Sequence, residues 1–243
     1  MRTGLKKILD GIFHPLGLNV ERFFGKDLDM IGLVKIAKEQ QIDLLLDVGA
    51  NTGQFSKKII EAGFDKKVIS FEPLSSAYPT LQENAKKITN WEVFERGAVG
   101  DMDGNIDINI SMNSHSSSIL QINKQHTDAA PSAAFVDKES VPIRKLDSLA
   151  EKFSSFQRIL LKIDTQGFEK NVLAGATQLL KDKVKVIQLE MSLLPLYDGV
   201  MPFEEMVAFL HNLGFEPLFY TPGYIDRTTS QIQQLEGYFI KKD

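Results

Sequence analysis

The sequence predicts an α/β fold: a mostly parallel, Rossmann-like sheet of seven principal strands with helices on both faces. Three observations carry this expectation. From about Leu44 onward, short apolar runs alternate with segments of helical period. Strands buried on both faces read as continuous hydrophobic runs, and helical crossovers between them impose parallel pairing. The first run passes straight through a glycine turn into a helix, "LLLDVGANTGQFS". The last two strand-like segments, "FEPLFYT" and "LEGYFIKK", have no obvious helix between them, which predicts an antiparallel edge.

Taken in order, residues 1–40 are expected to form a short helical cap on a domain spanning residues 41–243. Leu5, Ile8, Leu9, Ile12, Phe13 and Leu16 recur at helical spacing. Such a stripe packs on its own domain or on a second subunit, giving a homodimer. Arg2, Lys6 and Lys7 keep a second reading open, peripheral contact of a basic helix with an anionic membrane surface. Asp10 and His14 interrupt any signal-peptide core, and no small-residue cleavage site follows. Leu44–Val48 is the first strand and Phe55–Ala62 its helix. "KVISFEP" is the second strand, and "LSSAYPTLQENAKKI" is a helix with Pro79 near its start, where a missing N–H is harmless. "WEVFERGAVG" reads as a third strand. "GDMDGN" is a turn, "NIDINI" alternates at period 2, and "SMNSHSSSI" is a polar loop. The weakly periodic Gln121–Ser140 is expected to fold over the site as a lid, before "SVPIRKLDSL" resumes extended structure. "RILLKIDTQG" is a buried strand followed by the helix "FEKNVLAGATQLLKD". "VKVIQLEMS" is the next strand, and "PFEEMVAFLHNLG" a helix stopped by Gly214.

Composition narrows the function. The 243 residues are 43% hydrophobic and 25% charged, as in a soluble globular protein with one large domain and a modest appendage. A net charge of −4 provides no global basic field, so a nucleic-acid partner is not expected. The chain has no cysteine, which removes disulfides, thiolate nucleophiles and cysteine metal sites together. That is compatible with a reducing compartment, and the cytoplasm is the expected location. No apolar run approaches the roughly 20 residues that cross a bilayer.

In an open parallel sheet, ligands gather outside the carboxyl ends of the strands. Gly49 and Gly53 allow a tight turn and close backbone approach there, and the following helix presents free N–H groups. Asp47 puts a carboxylate beneath the turn. Nineteen positions past Gly53, the second strand ends in Glu72, where an acid can accept both ribose hydroxyls. A pyrophosphate wants a G-x-G-x-x-G turn. Here the turn is G-A-N-T-G, with Asn51 where the second glycine should be and Asp47 repelling phosphate. An ammonium would be attracted instead. A ligand with ribose, adenine and an amino-acid end fits: S-adenosylmethionine.

"DVGANTGQFS", "SFEPLSSAYPTLQENA", "GAVGDMDG", "NSHSSSIL", "LKIDTQGFEKNVLAGA" and "IQLEMSLLPLY" resemble, in order, the motifs of the FkbM family of S-adenosylmethionine-dependent methyltransferases. The resemblance runs from about Leu44 to the C-terminus. It implies the class I methyltransferase fold, seven strands with the last antiparallel. It also implies that Asp47, Gly49, Asn51 and Gly53, with Phe55 beside them, form the methionine-end pocket. Glu72 would hold the ribose, with Pro73 and Leu74 shaping the adenine side and Ala98 and Val99 its other wall. Members of the family act on hydroxyl groups, often of sugars, which implies a small-molecule or glycan acceptor.

Methyl transfer to an alcohol is an in-line displacement that gains from alignment and from a base taking the hydroxyl proton. Asp164, continuing "RILLKI" on the ligand side, is the leading candidate, and Lys162 shares its face in a regular strand. Glu169 opens the next helix, where a carboxylate is favoured anyway. Glu190, ending "VKVIQLE", either binds substrate hydroxyls or joins Asp164 on Mg²⁺. His115 in "NSHSSS" is a further candidate base, at a position where the family often has glycine. Asn113 and Ser116–Ser118 are candidate contacts to cofactor or acceptor. His14 belongs to the cap, and His211 lies in a helical pattern as a surface or packing residue. Leu193, Tyr197 and Phe203 in "LLPLYDGVMPF" are candidates for an acceptor wall or simple packing. Two rival readings stay open, a nucleoside-binding module without catalysis and an NAD-dependent sugar-modifying oxidoreductase.

Overall fold

A computed structural model of the chain describes residues 26–112, 116–123, 133–226 and 229–242, with residues 26–29 as backbone alone. The N-terminal stripe Leu5–Leu16 with His14, and the candidates Asn113 and His115, lie outside the described residues. The main sheet has seven strands. They are β1 (Leu44–Val48), β2 (Lys67–Phe71), β3 (Trp91–Val93), β7 (Ile159–Ile163), β8 (Val184–Ser192), β9 (Phe215–Pro222) and β10 (Gln234–Lys241). Their order is β3-β2-β1-β7-β8-β10-β9, with β10 antiparallel to both neighbours and the other pairs parallel. From β1 the chain winds outward to β2 and β3, and from β7 in the opposite direction to β8. The β1–β7 junction is therefore the switch point, where an open α/β sheet leaves a crevice.

Each face of the sheet is covered. Helices α1 (Lys26–Glu39) and α2 (Gln54–Glu61) bring Leu33, Val34, Ala37 and Ile59 onto Leu45, Val68, Leu160 and Val186. The α1 helix, which falls inside the segment expected as a cap, packs on the core of the domain. The opposite face buries Leu44, Leu46, Ile159, Leu161, Ile163 and Ile187. It lies beneath α4 (Glu169–Ala174), α5 (Thr177–Asp182), α6 (Phe203–Asn212) and the 3₁₀ segment Asp147–Phe153. Helix α3 (Tyr78–Ala85) carries Pro79 in its first turn, as expected. No helix among the described residues is long and apolar enough to cross a membrane.

Two expectations need correction. "WEVFERGAVG" is not one strand. It splits into β3 and β4 (Ala98–Val99), and β4 leaves the main sheet to pair in parallel with β6 (Phe135–Arg144). Gly97 makes that departure possible, since a Cβ there would lie 2.9 Å from the Pro142 carbonyl oxygen. The segment expected as a lid is also in part a strand: Phe135–Ser140 belongs to β6, paired antiparallel with β5 (Gly104–Ser111). Residues 124–132 of that segment lie outside the described residues. Strands β4, β6 and β5 form a separate three-stranded sheet. Its Ile108, Val141 and Ile143 pack with Leu74, Ala98 and Phe168 beside the crevice.

Candidate functional site

Side chains alternate faces along a strand, so residues two apart share one. On the face covered by α1 and α2, Val68, Leu45, Leu160 and Val186 are followed two residues later by Ser70, Asp47, Lys162 and Gln188. These four stand in register across β2, β1, β7 and β8, with Tyr238 of β10 opposite Gln188. The apolar core therefore changes to a buried polar row just before the carboxyl edge. Asp47 is fully buried. Its Oδ2 accepts from Ser56 Oγ at 2.6 Å and Ser70 Oγ at 3.4 Å, and its Oδ1 lies 3.0 Å from Lys162 Nζ. Lys162 also donates to the Gly49 carbonyl at 2.9 Å, tying the turn to the row beneath it. Burial pulls the Lys162 ammonium down. The Asp47 and Asp164 carboxylates outweigh that and hold it above its ordinary value.

Two residues further on the same face comes a second row: Glu72, Gly49, Asp164, Glu190 and, on β10, Glu236 opposite Glu190. Glu72 is buried, and its two oxygens accept from the backbone N–H of Asn51 at 2.6 Å and Leu74 at 2.9 Å. Burial pushes its carboxyl up to about 7, against the pull of those two N–H groups. Gly49 has φ +72° and no room for a side chain, because a Cβ there would sit 1.8 Å from the Asp164 carbonyl oxygen. The two strand ends at the switch point thus touch backbone to backbone.

Two clefts meet over this edge. The first is walled by Glu72, Pro73, Leu74, Ala98, Val99, Ser117, Ser118 and Phe168. The second lies towards α1, α2 and β10, and Lys162, Gln188, Glu190, Glu236 and Phe55 line it. Gly49, Asn51 and Asp164 line both. Asp47 and Gly53 line neither. Asp47 is spent on Lys162 and the two serines, and Gly53 makes room for Trp91, whose ring would lie 2.5 Å from an added Cβ.

The loop after β7 is built around Gln166, which holds a left-handed φ of +55°. A non-glycine residue in that region is uncommon, and such strain clusters at functional sites. Gln166 Nε2 donates to Asp164 Oδ1 at 2.8 Å and to Glu190 Oε2 at 2.9 Å, while its Oε1 accepts from Tyr197 Oη at 2.9 Å. Gln234 Nε2 donates to the same Glu190 oxygen at 2.6 Å. Burial first, then the Asp164 and Glu236 charges, raise the Glu190 carboxyl well above the usual carboxylate range. Glu169 closes the loop, its Oε1 accepting from the N–H of Thr165 at 2.9 Å and Gly167 at 3.2 Å.

Asp164 and Glu190 do converge, but on an amide nitrogen and not on a space for a cation. A hydrogen-bond donor between two acids is the wrong group for Mg²⁺, which wants oxygen ligands. Among the described residues no cluster of three or more His, Asp or Glu is disposed to hold a metal. Glu190 lies within β8, two residues before its end. Tyr197 is fully buried and acts through its hydroxyl, and Leu193 is exposed. Phe203 packs against the main core. His211 lies 3.1 Å from Glu216 at an exposed end of α6. The sequence reading missed Gln166, Gln188, Gln234 and Glu236, and it missed that Lys162 pairs with Asp47. One signal was available: Asp47, Ser70 and Lys162 each stand one residue before the end of a strand that is otherwise mostly apolar.

Residues 47–217 match the Methyltransferase FkbM domain. The chain belongs to the FkbM methyltransferase family. It is 28% identical over 218 residues to the 2-O-methyltransferase NoeI of Sinorhizobium fredii, covering 86% of this chain and 84% of that protein. Its fold is similar to the solved structure of a candidate O-methyltransferase from Klebsiella pneumoniae. There the TM-score is 0.51 at 12% identity, covering 100% of this chain and 92% of the other. The chain is thus a class I methyltransferase in fold, and the seven strands with their antiparallel β10 fit that architecture.

Proposed function

We propose that the protein transfers a methyl group from S-adenosylmethionine to a hydroxyl oxygen of a sugar or glycoconjugate. The observation that carries this reading is the Glu72 carboxylate. It is buried, fixed from behind by two backbone N–H groups, and lines a cleft whose other walls are largely apolar. A carboxylate so held suits the paired hydroxyls of a ribose. Leu74, Ala98, Val99 and Phe168 suit the flat faces of a purine. Membership of a methyltransferase family and the likeness to a 2-O-methyltransferase support methyl transfer to oxygen.

S-adenosylmethionine supplies a methyl group on a positively charged sulfur. The chain's own residues then have three tasks. Glu72 and the apolar walls bind the nucleoside. The Gly49–Asn51 turn, pinned by Lys162, sets the level at which the two clefts meet. Asp164 lines both clefts, and its carboxylate is oriented by Gln166, so it is placed to accept the hydroxyl proton. Glu190, whose carboxyl is raised by burial and the neighbouring acids and whose Oε2 is taken up by Gln166 and Gln234, serves as a hydrogen-bonding group that orders the loop. The residues do not fit a divalent cation, and no step is assigned to one.

The test is transfer of labelled methyl from S-adenosylmethionine to a panel of glycosides and glycolipid extracts, with oligonucleotides and amines as comparators. Label in the glycan fraction, lost in Asp164→Asn, is expected. Label confined to nucleic acid or amine acceptors would overturn the reading.

A further inference from the structure

We infer that the second cleft, on the α1–α2 side of the sheet, is an acceptor subsite that takes an uncharged polyol and rejects anionic sugars. This rests on the methyltransferase reading and adds the place and charge preference of the acceptor. The two clefts share Gly49, Asn51 and Asp164, so a group passed from one reaches the other there. With the nucleoside against Glu72, the receiving hydroxyl comes from the opposite side.

The floor of the second cleft is a hydrogen-bonding surface with one unmet group. Gln188 is buried, and its Nε2 donates to Glu236. Its Oε1 is also buried and has no hydrogen-bond partner. A buried acceptor left unpaired costs about 1–3 kcal/mol, which a ligand hydroxyl would recover by donating to it once the Gln188 amide turns towards the cleft. Around it stand Asp164, Glu190 and Glu236, all of which can accept from hydroxyls. Phe55 and Tyr238 add apolar ring surface, suited to the C–H face of a sugar.

Charge decides between ligands. Lys162 is the buried cation of the cleft, and Asp47 already lies 3.0 Å from it. Lys58, on the exposed side of α2, is the other cation lining the cleft among the described residues. A carboxylate or phosphate entering past Lys58 would bring acceptor oxygens against the acceptor oxygens of Asp164, Glu190 and Glu236, over a floor whose positive charge is neutralised. A hydroxyl meets acceptors instead.

The experiment has two steps. Calorimetry with S-adenosylhomocysteine first tests the donor reading, and failure there is a failure of that reading alone. Saturation-transfer NMR on the S-adenosylhomocysteine complex then compares methyl glucoside and methyl galactoside with the matching uronates. Binding of a neutral glycoside, about tenfold tighter than its uronate and about tenfold weakened in Gln188→Leu, is expected. Affinity for S-adenosylhomocysteine should stay within about twofold in that variant. Gln188→Met replaces Gln188→Leu if the latter does not fold, and Glu236→Gln should keep neutral-sugar binding. Uronates binding as well as neutral sugars, no glycoside binding at all, or indifference to Gln188 would overturn the inference. So would loss of S-adenosylhomocysteine affinity in Gln188→Leu, which would assign the cleft to the amino-acid end of the cofactor.

Discussion

Lys162→Met should destabilise the fold strongly, although the residue belongs to no helix cap or apolar core. Asp47 has no exposed surface, and the Lys162 side chain keeps only 4% of its own. Without the ammonium, the Asp47 carboxylate retains two serine hydroxyls and loses its ion-pair partner. Removing one partner of a buried ion pair costs about 3–5 kcal/mol. In a chain of this size each kcal/mol moves the melting temperature by about 2–4 °C, so a fall of about 6–20 °C is expected. Asp47→Asn combined with Lys162→Met should recover more than half of it, because no uncompensated charge is left. Lys162 has a raised pKa, so its contribution is fully present below the unfolded value of 10.5 and is lost as pH rises through the higher folded value. The gap between wild type and Lys162→Met should therefore be constant from pH 6 to 9. Thermal unfolding of the four proteins of the double-mutant cycle measures this. A Lys162→Met protein melting within 2 °C of wild type, or losses that simply add, would refute the paired-row account.

Other expectations concern the edge itself. Glu72 titrates at about 7 in the free protein against 4.5 unfolded, so the native state binds the extra proton between those values. Apo-protein stability should fall as pH rises across that window, whereas affinity for a ribose ligand should rise through about pH 7 with release of a proton. Calorimetry in buffers of different ionisation enthalpy reads that proton, and Glu72→Gln should abolish it. Gly49→Ala should lose about 3 kcal/mol or more in urea unfolding, since the new Cβ would meet the Asp164 carbonyl at 1.8 Å. Asp164→Asn should lower methyl transfer by about 10²–10⁴-fold while leaving S-adenosylhomocysteine affinity within about threefold. Glu190→Gln should cost far less, because the amide oxygen can still accept from Gln166 and Gln234.

Much of the fold is legible in the sequence because each central strand is a continuous apolar run, and "ILLKI" is buried at all five positions. The antiparallel β10 follows from the missing helix between the last two strands. The second sheet is not legible as such. Ala98–Val99 is two residues long, and only the tertiary contact of Gly97 with Pro142 directs it away from β3. At the site, Glu72 and Asp164 stand out because acids ending apolar strands have little packing reason to be there. Asp47 is equally visible, but its partner lies 115 residues away, and strand register alone brings Lys162 beside it. Gln166 is hidden for a similar reason. Nothing in "DTQG" announces that its amide will clasp two acids from neighbouring strands.

The measurement that bears most directly on the central claim is calorimetric titration of the ligand-free protein with S-adenosylhomocysteine, with NAD as comparator. The Glu72 cleft predicts micromolar-range binding of S-adenosylhomocysteine, about −8 kcal/mol, that is lost in Glu72→Ala and not matched by NAD. Binding of NAD in its place, or S-adenosylhomocysteine binding untouched by Glu72→Ala, would contradict it.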